Sequence, residues 1–138
     1  MAKVTLGKTG FCVEKNAFGA LPIQRISKQK AMKLLRKAYD NGVTFFDTAR
    51  FYTDSEEKVG EAFAGMREKV IIATKTGATT AEGFWKDIEV SLCNLQTDYI
   101  DLYQFHNPAF CPKPGDGSGL YEAMLEAKEK GMVRHIGI

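Results

Sequence analysis

Residues 70–75 read VIIATK, a short run of β-branched and small apolar residues that ends on a lysine. A strand without alternating polar residues is typical of a parallel sheet that is covered on both faces. Comparable runs occupy residues 43–48, 99–105 and 133–138. They follow one another at intervals of roughly 30 residues, which is the length of a strand, a helix and their connections. The pattern therefore predicts parallel strands joined by right-handed helical crossovers.

The intervals between these strands carry amphipathic helical patterns with recognisable ends. Ser27 is a suitable N-cap for a first helix, and Gly42 is well placed to end it. Asp54 opens a second helix, residues 79–82 have the spacing of a capping box before a third, and a fourth runs to Gly131. The predicted buried face of the first helix consists of Ala31, Leu34, Leu35 and Ala38.

The N-terminal part of the chain predicts a β-hairpin followed by the first strand of the main sheet. Extended pieces at residues 3–6 and 11–14 flank the turn-prone residues 7–10, which read GKTG. The short apolar run at residues 17–21 then supplies the first main strand. After the hairpin we therefore expect about four strand–helix units and a fifth strand.

Two architectures use such units, an open doubly wound sheet and a (β/α)8 TIM barrel. No GxGxxG or GxxxxGK[ST] loop follows a predicted strand, so the phosphate-binding signatures of common open sheets are missing from the sequence. Instead, Asp47, Lys75 and His106 end successive strands, where a barrel collects its chemistry. This favours the barrel, although both folds place ligands beyond the carboxyl ends of their strands. A full barrel takes about 250 residues, so residues 1–138 are predicted to be one partial domain, an N-terminal half-barrel.

Composition favours a small-molecule substrate over nucleic acid or a membrane. The sequence is 44% hydrophobic and 26% charged, and its formal net charge is only +2. No apolar run approaches the roughly 20 residues that span a bilayer, and residues 1–6 lack the apolar stretch of a signal peptide, so we expect a cytoplasmic protein. The three cysteines form no CxxC pair and there are only two histidines, so we expect neither a metal site nor a structural disulfide.

Four polar side chains have the complementary types that carbonyl reduction requires. Tyr52 follows Asp47 by five residues, and Lys75 and His106 end the next two strands. Hydride transfer to a carbonyl leaves an alkoxide that needs a proton, and a tyrosine with an ordinary pKa of about 10 donates poorly at neutral pH. A nearby Lys75 would lower that pKa, Asp47 would orient Lys75, and His106 would hydrogen-bond the substrate oxygen.

Each of these residues also has a plain structural interpretation. Asp47 and Lys75 would serve equally well as an ion pair between neighbouring strands. Tyr52 alone is more often an aromatic that packs in a loop, and His106 alone is more often a hydrogen-bonded structural residue. Spacing does not show that the four side chains meet, so both interpretations stay open at this point.

The stretch GVTFFDTARFY at residues 42–52 resembles the signature of the aldo-keto reductase family, in which an aspartate precedes the catalytic tyrosine by five positions. Residues 70–75 are similar to the family's lysine strand, and residues 97–107, TDYIDLYQFHN, to its histidine strand. The resemblance runs in order from about Leu6 to the last residue, and residues 54–60 are most similar to bacterial and archaeal members.

The resemblance implies reduction of aldehydes or ketones to alcohols with NADPH or NADH, in a TIM barrel. Tyr52 is implied to donate the proton. Lys75, Asp47 and His106 are implied to be its catalytic partners.

The resemblance also implies a nicotinamide site at the barrel rim. Gly19 and Ala20, after the first main strand, and Asp47, near the nicotinamide ribose, are the implied cofactor-binding residues. The groups that hold the carboxamide and the adenosine phosphate would follow residue 138 by the same resemblance.

An open half-barrel leaves strand edges unpaired around an interior face that we predict to be apolar. We therefore expect self-association through these edges, unless the chain is a fragment of a longer protein. The alternative function is a catalytically inactive, truncated half-barrel that serves folding or assembly. The sequence determines neither the carbonyl substrate nor the choice between NADPH and NADH.

Overall fold

The computed structural model describes residues 2–138 and contains an antiparallel hairpin and a parallel main sheet. The hairpin pairs β1 (Lys3–Thr5) with β2 (Cys12–Glu14). The strands of the main sheet are β3 (Phe18–Gly19), β4 (Phe45–Asp47), β5 (Ile71–Thr76), β6 (Ile100–Phe105) and β7 (Val133–Gly137). They are hydrogen-bonded in chain order and every pair is parallel. The predicted hairpin and parallel α/β sheet are therefore confirmed.

A helix follows each of the first four main strands. The helices are α1 (Lys28–Asp40), α2 (Ser55–Phe63), α3 (Ala81–Leu95) and α4 (Leu120–Glu129), with short 3-10 helices at Leu21–Arg25 and Arg67–Lys69. Successive helices pack side by side and cover one face of the sheet. Because neighbouring strands are also consecutive in the chain, the sheet has the topology of a barrel segment. Within residues 2–138, no helix combines the length and apolar character needed to cross a membrane.

The core lies between the sheet and these four helices. Phe46 of β4 packs its ring against Phe63 of α2, with centroids 4.5 Å apart, and Tyr103 of β6 packs against Phe84 of α3 at 5.6 Å. All four rings are fully buried or nearly so. Large apolar side chains of this kind contribute most of the burial energy of a domain, so these contacts fix where each helix lies on the sheet.

The helix starts confirm one predicted cap and correct another. The Oγ of Ser27 accepts a hydrogen bond from a backbone N–H in the first turn of α1 at 3.4 Å, as predicted. The capping box predicted at residues 79–82 is wrong in register, because Thr80 is the N-cap and accepts from the backbone N–H three residues on at 3.2 Å. Glu82 pairs instead with Lys86 on the exposed side of α3.

Two other predictions are wrong in detail. The first main strand covers only Phe18–Gly19 rather than residues 17–21, because Leu21–Arg25 forms a 3-10 helix with Pro22 in its first turn. Proline has no N–H for a strand ladder and its fixed φ suits a helix start. Leu34 was predicted to be buried but is 44% exposed, since α1 presents a narrower stripe to the core than four residues.

The face of the sheet that points away from the helices is polar towards the C-terminal ends of the strands. Side chains of a strand alternate between faces, and Tyr103 contacts α3, so Gln104 lies on the opposite face with its register partner Lys75. The prediction of an apolar interior face is therefore wrong at this end. At the other end, Phe11 from the hairpin packs edge to face on His135 of β7, with ring centroids 4.8 Å apart.

Gly60 allows α2 and α3 to approach closely, and its replacement should destabilise the fold. A β-carbon at Gly60 would lie 2.3 Å from the backbone oxygen of Asn94. We expect Gly60→Ala to lower the free energy of unfolding in urea by about 1–3 kcal/mol, because the obstruction is backbone and cannot rotate away. The matched control is Gly83→Ala in α3, where the nearest atom to the added carbon is the side-chain oxygen of Thr80 at 3.3 Å, and its stability should change much less than that of Gly60→Ala. Equal midpoints for all three proteins would contradict this account of the helix contact.

Candidate active site

Four of the polar residues predicted to matter lie at one edge of the sheet. Asp47 is the last residue of β4, and Lys75 lies one residue before the end of β5. His106 directly follows β6, and its backbone N–H donates to the carbonyl oxygen of Thr76 at 2.8 Å. Tyr52 lies in the loop between β4 and α2. Because the strands are parallel, their carboxyl ends share one rim, and the four side chains converge there.

The four side chains are in contact range of one another. The ammonium of Lys75 donates to Oδ1 of Asp47 at 2.6 Å and to the carbonyl oxygen of Thr48 at 2.8 Å. The same nitrogen lies 5.4 Å from the ring centroid of Tyr52. The rings of Tyr52 and His106 meet edge to face, with centroids 5.6 Å apart. The structure thus brings together all four residues that the sequence singled out.

Burial, rather than the neighbouring cation, dominates the ionisation of Tyr52. Burial raises the pKa of its hydroxyl above the ordinary value, and the negative charge of Asp47 raises it further. The expected lowering of this pKa by Lys75 is wrong for this arrangement, because desolvation of the phenol is the larger influence and Asp47, the ion-pair partner of Lys75, acts in the same direction. Tyr52 therefore keeps its proton at neutral pH.

His106 is held in its neutral form. Burial lowers the pKa of its imidazole, the charge of Lys75 lowers it further, and Asp47 opposes these effects. Its Nδ1 is buried and has no hydrogen-bond partner among residues 2–138. A neutral imidazole carries one donor and one acceptor nitrogen, so His106 can donate a hydrogen bond without carrying charge.

The residues that follow Tyr52 and His106 share an unusual backbone conformation. Thr53 and Asn107 both have φ of 45°, in the left-handed region. Asparagine tolerates this region, but a β-branched threonine does so at a cost. Such strained positions persist where the surrounding contacts hold them, and here each one turns the chain away directly after a rim side chain.

A cavity of about 660 Å³ opens at the rim above these side chains. Tyr52, Lys75, Gln104 and His106 line it, and residues 107–111 form one wall. Its volume lies in the range of roughly 300–1,000 Å³ that is typical of small-molecule sites. Within residues 2–138, no group of three or more His, Cys, Asp or Glu side chains is placed to hold a metal ion.

Gly19 and Ala20 lie beside Asp47. Gly19 pairs with Asp47 in the sheet register, and the backbone N–H of Ala20 donates to the carbonyl oxygen of Asp47 at 2.7 Å. A β-carbon at Gly19 would meet no atom within 4 Å among residues 2–138, so the space above this residue is open. Ala20 is fully buried, and its carbonyl oxygen accepts a hydrogen bond from the hydroxyl of Ser55 at 3.0 Å, so it supports the site from behind instead of facing a ligand.

A buried carboxylate that sequence analysis missed holds the loop that carries Tyr52. Glu56 is fully buried and forms a salt bridge with Arg50 of that loop. It also accepts hydrogen bonds from Thr74 and Ser91, each at 2.7 Å, and from Asn94 at 3.2 Å. A charge that is removed from water needs partners of this kind to offset its desolvation.

The sequence contained a signal for this buried carboxylate. Glu56 precedes Val59 by three positions and Phe63 by seven, so the helical period places it on the apolar stripe of α2. A charged residue on a buried stripe predicts an internal partner, and Arg50 supplies it.

A second buried charge lies at the start of α2. Lys58 is 2% exposed, and its ammonium donates to the carbonyl oxygens of Ile23 and Ile26 and to Oδ1 of Asp54. The predicted helix start at Asp54 is confirmed, since Asp54 is the N-cap residue of α2, but its side chain pairs with Lys58 and makes no cap hydrogen bond. The lysine thereby ties the segment after β3 to the start of α2.

Comparisons with known proteins point to one family. Residues 15–138 match the sequence model of the Aldo/keto reductase family. The chain is 32% identical to the uncharacterised oxidoreductase YqkF of Bacillus subtilis, over 100% of this chain and 48% of that protein. It superposes on the holo form of an aldo-keto reductase from Bacillus halodurans with a TM-score of 0.89 and 32% identity, over 100% of this chain and 50% of that one. It also superposes on an aldo-keto reductase from Klebsiella pneumoniae in complex with NADPH, with a TM-score of 0.86 and 30% identity, over 99% of this chain and 49% of that one.

These matches confirm the predicted fold class, since the solved relatives are TIM barrels. The chain spans about half the length of the relatives it matches, which agrees with five main strands instead of a closed barrel.

The pKa of His106 yields a testable pH dependence. Because folding lowers it below the ordinary 6.5, the unfolded chain binds more protons than the folded chain just below pH 6.5. The stability that neutral His106 contributes is therefore complete above pH 6.5 and is lost as the pH falls through the folded pKa. NMR titration of the histidine signals should give His106 a pKa below 6.5. Lys75→Met should raise this pKa, but not to the ordinary value of 6.5, since burial lowers it more than the charge of Lys75 does.

His106→Asn identifies the signal and serves as the control for stability. Urea unfolding at pH 7 and pH 5 should show a smaller loss of stability for His106→Asn than for the unsubstituted chain. Equal losses, or a midpoint of titration above 6.5, would contradict the burial of this imidazole.

Proposed function

Because the chain belongs to the aldo/keto reductase family, we propose that its rim site acts in the NADPH- or NADH-dependent reduction of an aldehyde or ketone to an alcohol. The observation that carries the proposal is the meeting of Tyr52, Lys75, Asp47 and His106 beside an open cavity. An ion pair between strands would explain only two of these residues. It does not explain why a protonated phenol and a neutral imidazole lie next to that pair.

In this proposal Tyr52 donates the proton to the alkoxide that forms on the substrate. Its raised pKa keeps the phenol protonated before reaction, so the proton is present when it is needed. As the proton leaves, negative charge develops on the ring system, and the ammonium of Lys75 lies 5.4 Å from the ring centroid to stabilise it. Lys75 thus acts on the charge of the transition state more than on the resting phenol.

Asp47 and His106 have supporting roles in the proposed reaction. Asp47 holds the ammonium of Lys75 at 2.6 Å and so fixes its direction towards the ring of Tyr52. His106 contacts the ring of Tyr52 edge to face and, being neutral, can donate a hydrogen bond to the carbonyl oxygen of the substrate.

We propose that Gly19 and Asp47 take the nicotinamide end of the cofactor, and that the buried Ala20 supports them from behind. The reduced nicotinamide would supply the hydride, as the NADPH bound to the Klebsiella pneumoniae relative suggests. The open space above Gly19 and the one-third exposed carboxylate of Asp47 fit a ribose with free hydroxyls. Since the relatives are about twice as long as this chain, we assign only this end of the cofactor site to it.

The proposal is tested by titrating the purified chain with NADPH and following nucleotide fluorescence, then its oxidation by a generic aldehyde. We expect binding, and turnover that Tyr52→Phe lowers by at least about 100-fold, because general acid catalysis contributes that much. Nucleotide binding should persist in this variant. Tyr39→Phe removes a hydroxyl from α1, away from the rim, and should leave turnover unchanged. Absence of binding at millimolar NADPH would refute the assignment for the isolated chain.

A second candidate function is a non-catalytic folding or assembly module. The observation in its favour is the sheet order, because within residues 2–138 β3 pairs only with β4 and β7 pairs only with β6. Both outer strands therefore present unpaired backbone groups, which are templates for pairing with another chain.

Self-association through these edges would raise the molar mass measured in solution. We expect light scattering on the purified chain to give a molar mass that rises with concentration above the 15.3 kDa of one chain. A lysine at the end of β7, Ile138→Lys, where the residue is 62% exposed, should reduce this association, since charged side chains on an edge strand oppose pairing with another chain. A monodisperse monomer with cooperative thermal unfolding would argue against both association and this second function.

A further inference from the structure

Two buried threonines flank Lys75 in β5 and face the helix layer. Side chains of a strand alternate between faces, so Thr74 and Thr76 point away from the rim cavity that Lys75 lines. The hydroxyl of Thr74 donates to Glu56 at 2.7 Å, and the hydroxyl of Thr76 donates to Oδ2 of Asp87 in α3 at 2.6 Å. The end of β5 is therefore anchored to a carboxylate of the helix layer on each side of the lysine.

Asp87 occupies a position in α3 that apolar packing does not explain. It follows Phe84 by three positions and precedes Ser91 by four, so the helical period places it beside the buried stripe. Among residues 2–138 it forms no salt bridge, and the hydroxyl of Thr76 is the group that donates to it. A half-buried carboxylate without a counter-ion costs free energy. The hydrogen bond to Thr76 is therefore the contact that this charged group supplies.

The buried phenol of Tyr103 offers another reason for a carboxylate at this place, and the geometry argues against it. Burial raises the pKa of this phenol and the charge of Asp87 raises it further, so the two groups are close and the phenol stays protonated. Its hydroxyl is nevertheless buried without a hydrogen-bond partner in the part of the chain from residue 2 to residue 138. Asp87 does not serve as the acceptor for Tyr103.

Thr76 links Asp87 to the rim histidine. Its hydroxyl oxygen accepts a hydrogen bond from the backbone N–H of Ala78 at 3.0 Å, so its own proton is directed at Asp87. Its carbonyl oxygen accepts the backbone N–H of His106 at 2.8 Å. Because Thr76 ends β5 and His106 directly follows β6, this bond sets the height of the imidazole at the rim. A displacement of Thr76 would therefore move His106.

We propose that Asp87 is a positioning residue for His106 and acts through Thr76. This inference rests on the proposed reductase function, in which His106 orients the carbonyl oxygen of the substrate, and adds to it a residue of the helix layer that does not line the rim cavity. The rings of His106 and Tyr52 are in contact, with centroids 5.6 Å apart, so a shift of the histidine changes its distance from the proton donor. A displacement of about 1 Å can lower a rate by about 100-fold.

Hydrogen exchange in the chain without cofactor tests the placement of His106. The exchange rate of its backbone amide is compared with that of Ile100 at the other end of β6, which donates to the carbonyl oxygen of Met132 at 2.8 Å. Asp87→Leu and Thr76→Val each remove one partner of the contact with little change in shape. Each should raise the exchange rate of His106 by about fivefold or more relative to that of Ile100. A general loss of stability would raise both rates together.

The ring signals of His106 give a second measure of its position. The imidazole lies edge to face with Tyr52, so the chemical shifts of its ring protons depend on the distance between the two rings. Asp87→Leu should change these shifts. Asp87→Asn should retain them, because an amide oxygen still accepts from the Thr76 hydroxyl although the charge is gone. Thr76→Ser keeps the hydroxyl and should also retain them.

Turnover separates positioning from general stability. Asp87→Leu should lower the rate of NADPH oxidation about tenfold to 100-fold with nucleotide affinity retained, and Asp87→Asn should recover most of it. Asp87→Leu combined with Thr76→Val should be no more severe than either variant alone, because both break one contact. The matched control is Glu89→Leu, which removes an exposed carboxylate from the same helix and should change none of these measurements.

Unchanged His106 signals in both Asp87→Leu and Thr76→Val would overturn the positioning role, and so would equal effects of Asp87→Leu and Asp87→Asn. If the unsubstituted chain never oxidises NADPH, displaced His106 signals would keep the placement of the histidine by Asp87 and remove the reductase function from this chain. Turnover that Asp87→Leu leaves unchanged would keep the reductase function and overturn the positioning role.

Discussion

The carboxylate of Glu56 is fully buried, and the groups that compensate its charge come from three different elements of the fold. Arg50 lies in the loop before α2, Thr74 in β5 and Ser91 in α3. Removing one partner of a buried charge destabilises a protein by several kcal/mol. The partners of Glu56 therefore hold these three elements in one fixed arrangement. The backbone N–H of Arg50 also donates to the carbonyl oxygen of Lys75 at 3.0 Å. The loop that carries Tyr52 is therefore fixed against the strand that carries the lysine.

With the loop fixed, burial and charge compensation determine the protonation of the rim. Lys75 and Asp47 are ion-paired at 2.6 Å, and their charges have only secondary effects on the pKa values of Tyr52 and His106. Tyr52 and His106 respond mainly to their loss of water, which favours the uncharged form of each group. A protonated phenol and a neutral imidazole consequently lie side by side at neutral pH. The balance would change if Asp47 or Lys75 were removed singly, because the remaining charge would then act on both rings.

Much of this could be predicted because parallel strands end at a shared edge. That rule alone placed Asp47, Lys75 and His106 together from their positions in the sequence. Packing across the helix layer could not be predicted in the same way, because the sequence around Glu56 does not show which distant polar residues its carboxylate will contact. The position of Phe51 on Gly77 depends on two loops that have no repeating pattern. The short first main strand could have been predicted, because the fixed φ of Pro22 favours a helix start. The direction in which the pKa of Tyr52 shifts could not, because it depends on how deeply the folded chain buries the phenol.

The contact between Phe11 and His135 joins the start of the chain to its last strand. Its two residues are further apart in the sequence than those of the other aromatic contacts described. Closing so long a loop costs conformational entropy, so we expect this contact to form after the contacts between nearer residues. During synthesis the hairpin leaves the ribosome first, yet its docking surface on β7 does not exist until residue 135 has followed. The hairpin can therefore form well before it can dock. It rests on strands that have already paired, so it does not nucleate the β3–β7 sheet.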